Sequence, residues 1–178
     1  MATLFVDKID PQSGTSLEIG SSGDTITVPS GATVAGAMAN TPAFSVNLGG
    51  TGQSVATSSF TKLAHNTEVF DTDNAFDTTN YRFTVPSGKA GKYYFYATAR
   101  VNSSAVFTRL VSSIYKNGAG QSQVNMNNTN EVSTSVSTIL DLNVGDYVEH
   151  YVQQNAGSNK SFHGETNRTF FLGYKLIG

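Results

Sequence analysis

The 178-residue chain contains no cysteine. That excludes a disulfide framework and a thiolate zinc site, and leaves stability to packing or to oligomerisation. Charge is scarce as well. Asp, Glu, Lys and Arg make up 13% of the chain, about half the roughly 25% usual for soluble domains, so Ser, Thr, Asn and Gly must wet the surface. The net charge is −2 and the 11 Lys and Arg are scattered, which argues against a nucleic-acid partner, since phosphate binding needs a basic patch. No charge run points to a membrane surface. The start Met1-Ala2-Thr3-Leu4-Phe5 has neither a basic region nor a long apolar run, so no signal peptide or membrane span is expected. A protein made inside a cell and assembled into a particle fits this pattern.

Catalytic parts are missing in the same way. There is no Gly-x-Ser-x-Gly elbow, no His-Glu-x-x-His, no phosphate loop and no dinucleotide fingerprint. The three histidines, His65, His150 and His163, have no spaced partners suggesting a metal site, and His150 reads as a packed or interfacial strand residue. The cluster Asp71-Thr72-Asp73-Asn74 with Asp77 offers hard oxygens to calcium, yet lacks the glycine and final glutamate of a calcium loop. Calcium is thus the only ion left open, and no other cofactor is expected. Asn-x-Ser/Thr sequons at Asn102, Asn127, Asn159 and Asn167 are what a chain rich in these residues produces by chance. The expectation is a protein that binds or builds, not an enzyme.

What the chain does have is strand pattern. The length suits one buried domain with a short appendage, and the division expected is 1–40 as an extended attachment segment and 41–178 as a head. In the first part Leu4, Val6, Ile9, Leu17, Ile19, Ile26, Val28 and Val34 mark short period-two pieces. Turns are predicted at Pro11-Gln12-Ser13-Gly14, Ser21-Ser22-Gly23-Asp24 and Pro29-Ser30-Gly31. Such strands are too short to bury a core alone, and would do so by winding around partner copies. The alternative is a flexible polar leader. The stretch from Leu17 to Gly31 resembles segments of phage tail and head fibre proteins. Residues 32–43 read as a hinge, with a short helix possible over Val34–Ala39.

From Phe44 onward β runs are separated by Gly and Asn turns. Strands are predicted at Tyr81–Val85, Lys92–Val101, Leu110–Lys116, Val132–Leu142, Tyr147–Val152 and Thr169–Ile177, a spacing that suits a sandwich or jelly roll. One face of Val132–Leu140 carries Val132, Val136 and Leu140 and the other mostly Ser, as in a strand with one hydrated face. Phe76, Phe83, Tyr93 and Phe95 supply large rings for a core. Asn117-Gly118 is a hairpin signal because both residues tolerate positive φ.

Four landmarks then fall in order: Asp71, Phe76, Phe83 and Gly91 leading into Tyr93 and Phe95; Ile114-Tyr115-Lys116-Asn117-Gly118; Val144-Gly145-Asp146; and Phe171-Leu172-Gly173-Tyr174. Together they resemble the globular domain of complement C1q, a jelly roll related to tumour necrosis factor. The chain departs from that pattern in having seven residues rather than five before Gly91, and His65 and Ala97 where aromatics are expected. The resemblance implies an all-β, ten-strand-type jelly-roll sandwich preceded by an extended short-stranded segment. It also implies a homotrimer. These landmarks read as scaffold.

For function, the expectation is a bacteriophage virion protein: a trimeric fibre or spike joined to other virion proteins through residues 1–40, whose head binds a glycan or protein of the host surface. A capsid decoration or head-fibre protein is the alternative, and a glycan-cleaving spike enzyme a remote one. The polar segments Gly118–Asn130 and Asn155–Gly164 are the expected contact loops, with Gln121, Gln123, Asn125, Asn127, Asn155 and Asn159 as candidate contacts to sugar hydroxyls. Tyr94 and Tyr96, alternating with Tyr93 and Phe95, either cover a subunit interface or bind sugar.

Overall fold

The structure, a computed structural model, describes residues 9, 13–14, 17, 19–32, 40–102, 104–130 and 132–176. The chain divides into two compact units, residues 1–34 and 35–178.

In the first unit the described residues form turns and extended chain but no strand. Among the described residues the expected pieces around Ile19, Ile26 and Val28 form no strand, and those at Leu4, Val6 and Val34 lie outside the described residues. The described pieces are each too short to pair within one copy, and Ile19, Ile26 and Val28 stand exposed. Two of the expected turns do form. Asp24 N–H donates to the Ser21 carbonyl at 3.0 Å and the Asp24 carboxylate accepts from Ser21 N–H at 2.7 Å, while Ala32 N–H donates to the Pro29 carbonyl at 3.1 Å. The third turn and the helix considered over Val34–Ala39 lie wholly or partly outside the described residues.

The second unit is a two-sheet jelly-roll sandwich. One sheet runs in the order β10 (Ser133–Leu142), β7 (Gly91–Arg100), β13 (Phe170–Lys175), β1 (Ala43–Asn47), β4 (Thr67–Asp71). The other runs β5 (Phe76–Asp77), β6 (Arg82–Thr84), β11 (Tyr147–Gln154), β8 (Phe107–Lys116), β9 (Ala119–Thr129), with β3 (Thr61–Lys62) also paired to β11. A small ribbon joins β2 (Gln53–Val55) to β12 (Lys160–Phe162). All pairings between these strands are antiparallel.

Side-chain alternation builds the core as the sequence leads one to expect. On β7, Tyr93, Phe95, Ala97 and Ala99 point inward and are fully buried, and Tyr94, Tyr96, Thr98 and Arg100 are half-exposed. On β10 Thr134, Val136 and Leu142 are buried and Thr138 and Leu140 half-buried, while the outer face carries Ser133, Ser135, Ser137 and Ile139. The core falls into two clusters. One gathers Phe44, Phe76, Phe83, Tyr93, Phe95, Ile114, Leu142, Val148 and Phe171; the other gathers Leu48, Val55, Leu63, Phe107, Leu110, Val152 and Phe162. Phe44, which has no prominence in the sequence, is the hub of the first: its ring centre lies 5.1 Å from those of Phe76, Phe83 and Phe171.

Candidate functional site

Most landmark residues gather in the first core cluster or in the turns beside it and serve the scaffold. Asp71 accepts from the Phe76 amide at 2.7 Å and from the Asp73 amide at 3.3 Å, fixing the turn that delivers the Phe76 ring to the core. Gly91 opens β7 opposite Leu142. Tyr93 buries its ring and donates its hydroxyl to the Lys89 carbonyl at 2.6 Å; burial, aided by the Asp73 charge, pushes the phenol up to about 12. Gly173 lies where the rings of Phe95 and Phe44 press on β13. A methyl group there would stand 2.5 Å from Phe95 Cδ1 and 2.9 Å from Phe44 Cε1.

Two landmarks far apart in sequence lock together. Asn117 and Gly118 take φ of 51° and 78°, the left-handed pair a tight hairpin requires. The Asn117 amide donates to Asp146 Oδ1 at 2.7 Å, and its oxygen accepts from the Tyr147 amide at 2.9 Å. Asp146 Oδ2 takes Lys116 Nζ at 2.9 Å and the Asn143 amide at 2.8 Å. The bond from Lys116, followed by those from Asn117 and Asn143, holds the Asp146 carboxyl down to about 2.

The acidic residues considered for calcium do not converge. Asp73 faces Lys89 at 3.5 Å, and Asp77 caps Thr79, Asn80 and the Asn80 side chain. Hydrogen bonds from Asn80 and then Thr79 lower the Asp77 pKa. Among the described residues no three His, Cys, Asp or Glu side chains could hold a metal ion together.

Sequence spacing gives no warning of the polar chain in the middle of the core. His65 Nε2 and His150 Nδ1 lie 3.0 Å apart, their rings stacked with centres 5.3 Å apart, and Ser112 Oγ lies 2.8 Å from His150 Nε2. His150 is thus a packed residue, on the inward face of β11 between Val148 and Val152. Burial drives both imidazoles toward the neutral form: His150 falls to about 3, and His65 falls well below 6.5, with the neighbouring His150 adding to the shift. His65 Nδ1 has no partner. A serine joined to a histidine suggests a nucleophile, but all three side chains are 1% exposed or less, so no substrate reaches them. His65 fills its aromatic position by packing beside Phe171, 6.0 Å between ring centres.

The candidate contacts lie elsewhere than expected. Gly118–Asn130 is not a loop: Ala119–Thr129 forms the edge strand β9, paired along β8. Its Asn, Gln and Ser content argues for loop, but the Asn117-Gly118 hairpin turns the chain back along β8, and ladder pairing uses only backbone groups. Gln123, Asn125 and Asn127 sit opposite Ser113, Val111 and Arg109, with Gln121 in the same strand. The second expected loop includes β12, and its irregular parts are residues 163–164 after that strand and 155–159 before it. There Asn155 is a bracket: its backbone exchanges bonds with Thr108 and Arg109 and its side-chain oxygen accepts from Thr57 and Ser58. Asn159 is exposed.

The two sheets present different outer surfaces. On the five-stranded sheet, Tyr94 stands opposite Ile139 and Tyr174, Tyr96 opposite Leu172, and Phe70 opposite Ser45. Tyr94 and Tyr174 pack at 5.5 Å and Tyr96 and Phe170 at 5.8 Å. Ile139 and Phe70 are 58% and 49% exposed, so an apolar, aromatic face crosses the whole sheet. The outer face of the six-stranded sheet mixes tyrosines with amides and a shielded ion pair, Lys62 to Glu149 at 2.8 Å.

The chain belongs to the C1q domain family, which matches residues 43–176. Among solved structures it is similar to the globular domain of zebrafish complement 1qA protein, at 21% identity over 76% of this chain and 98% of that one, with a TM-score of 0.52. Murine APRIL is similar at 15% identity over 75% and 98%, with a TM-score of 0.56. So is PRD1 vertex protein P5, at 14% identity over 78% and 99%, with a TM-score of 0.59. No curated protein matches the chain in sequence.

Proposed function

We propose that the chain is a bacteriophage virion protein, a trimeric fibre or spike that joins other virion proteins through residues 1–40 and binds the host surface with its head. The observation that carries the trimer is the aromatic outer face of the five-stranded sheet. Ile139, Tyr94, Tyr174, Tyr96, Leu172, Phe170 and Phe70 share it, and a contiguous apolar face of this kind marks an interface with another protein surface. In a homo-oligomer the same patch recurs around the symmetry axis, so one sequence covers every copy. This reading makes Tyr94 and Tyr96 interface residues. The particle location draws support from the likeness to a vertex protein and from the resemblance of Leu17–Gly31 to fibre segments.

The chemistry of the head is binding. The serine–histidine chain found among the described residues is sealed inside the core, and purified protein is expected to release no reducing sugar from bacterial polysaccharide. The likeness to a vertex protein also favours a second reading, a capsid decoration or head-fibre protein docked by the N-terminal segment. Light scattering tests the trimer, and a stable monomer at micromolar concentration would refute it. Imaging of labelled particles separates the two locations: a tail or fibre tip supports the first reading, the shell alone the second.

A further inference from the structure

We propose that the outer face of the six-stranded sheet carries a binding site for a neutral saccharide, in which a pyranose ring stacks on Tyr115; this rests on the reading of the head as a receptor binder and names the class of ligand. An open depression of about 180 Å³ lies there, lined by Phe60, Ser113, Tyr115, Gly120, Gln121, Ser122 and Gln123. Tyr115 is its platform. The ring is backed by Tyr151, stacked with centres 4.2 Å apart at 29°, and flanked by Phe60 at 6.1 Å and 57°. Phe60 is itself capped by the Arg109 guanidinium, 5.9 Å from its ring centre. Fixed rings of this kind give contact area at little entropic cost, because their rotamers are already held by neighbours.

Gly120 leaves the platform bare. It pairs with Tyr115, and a Cβ at this position would sit 3.7 Å from Tyr115 Cε2 and Cζ, so any side chain there would cover ring surface. The bare ring follows from a bulge. Ile114 pairs with Ser122 while Tyr115 pairs with Gly120, leaving Gln121 as the extra residue, and bulges re-aim side chains at functional surfaces. Gln121 and Gln123 then border the ring with amides, each offering a donor and an acceptor to adjacent hydroxyls. An apolar face with a few convergent amides matches a sugar, whose ring presents C–H groups on one side and hydroxyls at the rim. Among the described residues no charged side chain lines the depression, and the nearby Glu149 is paired with Lys62, which favours a neutral sugar over an acidic one.

The site lies on the sheet opposite the aromatic interface face, so trimer formation leaves it open. The test uses the full chain and two variants. Tyr115→Ala removes the platform. Gly120→Ala covers it with one methyl at an ordinary contact distance and without backbone strain, which keeps the test decisive if the first variant fails to fold. The readouts are binding to immobilised neutral bacterial polysaccharides of hexose and N-acetylhexosamine, and binding to a panel of bacterial strains. The expected result is saturable polysaccharide binding, weakened about tenfold by Tyr115→Ala and severalfold by Gly120→Ala, with parallel losses on cells. Binding to cells and polysaccharide unchanged in both variants would overturn this site and leave receptor binding standing. Binding to cells with none to any neutral polysaccharide would overturn the ligand class. Absence of binding to every strain would remove the receptor reading and this site with it.

Discussion

Acid should unfold the head through its two buried imidazoles, well before its carboxylates titrate. His65 and His150 are neutral in the folded chain, with His150 held down to about 3 by burial and His65 also well below its usual value. In the unfolded chain both take up protons near 6.5. A depressed histidine contributes stability that is fully present above 6.5 and declines as pH falls toward its folded value, because the unfolded state binds the extra proton. Between pH 7.5 and 5.0 the loss from His150 is about 2 kcal/mol, a large share of the roughly 5–15 kcal/mol that holds a domain folded, and His65, lowered in the same direction, adds to it. Asp146, held down to about 2, titrates below that window, so the window isolates the histidines. Urea melts at fixed protein concentration, at pH 7.5, 6.5, 5.5 and 5.0, measure the slope. The double variant His65→Phe/His150→Phe should lose stability at pH 7.5, where Ser112 is left without its partner, but its decline between pH 7.5 and 5.0 should be smaller than the wild type's by at least the about 2 kcal/mol that His150 contributes. The same slope in wild type and variant, or a flat wild-type profile, would refute the reasoning.

Gly173→Ala should cost about 1–3 kcal/mol, because its methyl must displace the packed rings of Phe95 and Phe44; a thermal melt reads the loss, and an unchanged melting temperature would contradict the packing described. Phe44→Ala should cost about 3–5 kcal/mol by emptying the hub of the ring cluster, measured in the same urea titration. Asp146→Ala should cost about 1–3 kcal/mol at pH 7 by unpairing Asn117, Lys116 and the Asn143 amide. That difference should shrink only as pH drops from about 4 toward 2, since a depressed carboxylate contributes above its unfolded pKa and loses the contribution on protonation. Replacing Tyr94 and Tyr174 by Arg should shift light scattering from trimer to monomer while far-ultraviolet circular dichroism stays β-rich; an intact trimer would move the interface elsewhere.

What the sequence made legible is one half of the head. Phe76, Phe83, Tyr93, Phe95 and Phe171 all belong to the first core cluster, where strong alternation and paired turn residues act over short stretches. The second cluster draws on Leu48, Val55 and Leu63, single apolar residues in a polar stretch with no period to read. The central place of Phe44 has no local signal, because its strand is defined by pairing with β13 and β4, far away in sequence. The Asn and Gln of β9 misled in the opposite direction: propensity favours a loop, and the ladder with β8 overrides it. Phe60, Tyr115 and Tyr151 come together from three separate elements, so their stack has no linear signal at all. The His65–His150 pair is equally silent in sequence, although His150's place between Val148 and Val152 already marks it as inward-facing.

The split core also bears on how the head moves. Ser112 lies between Leu110 and Ile114 on β8, and His150 between Val152 and Val148 on β11, so a polar seam separates the two apolar clusters. Cooperative units in proteins follow continuous apolar contact, and a seam of hydrogen bonds transmits less of it. The end built on Phe107 and Phe162 should therefore open as a unit of its own, with amide protons of β12 and β2 exchanging with solvent long before those of β7 and β13. Insertions between strands at that end then meet a semi-independent core, and the ring cluster around Phe44 keeps its register whatever loops the other end carries.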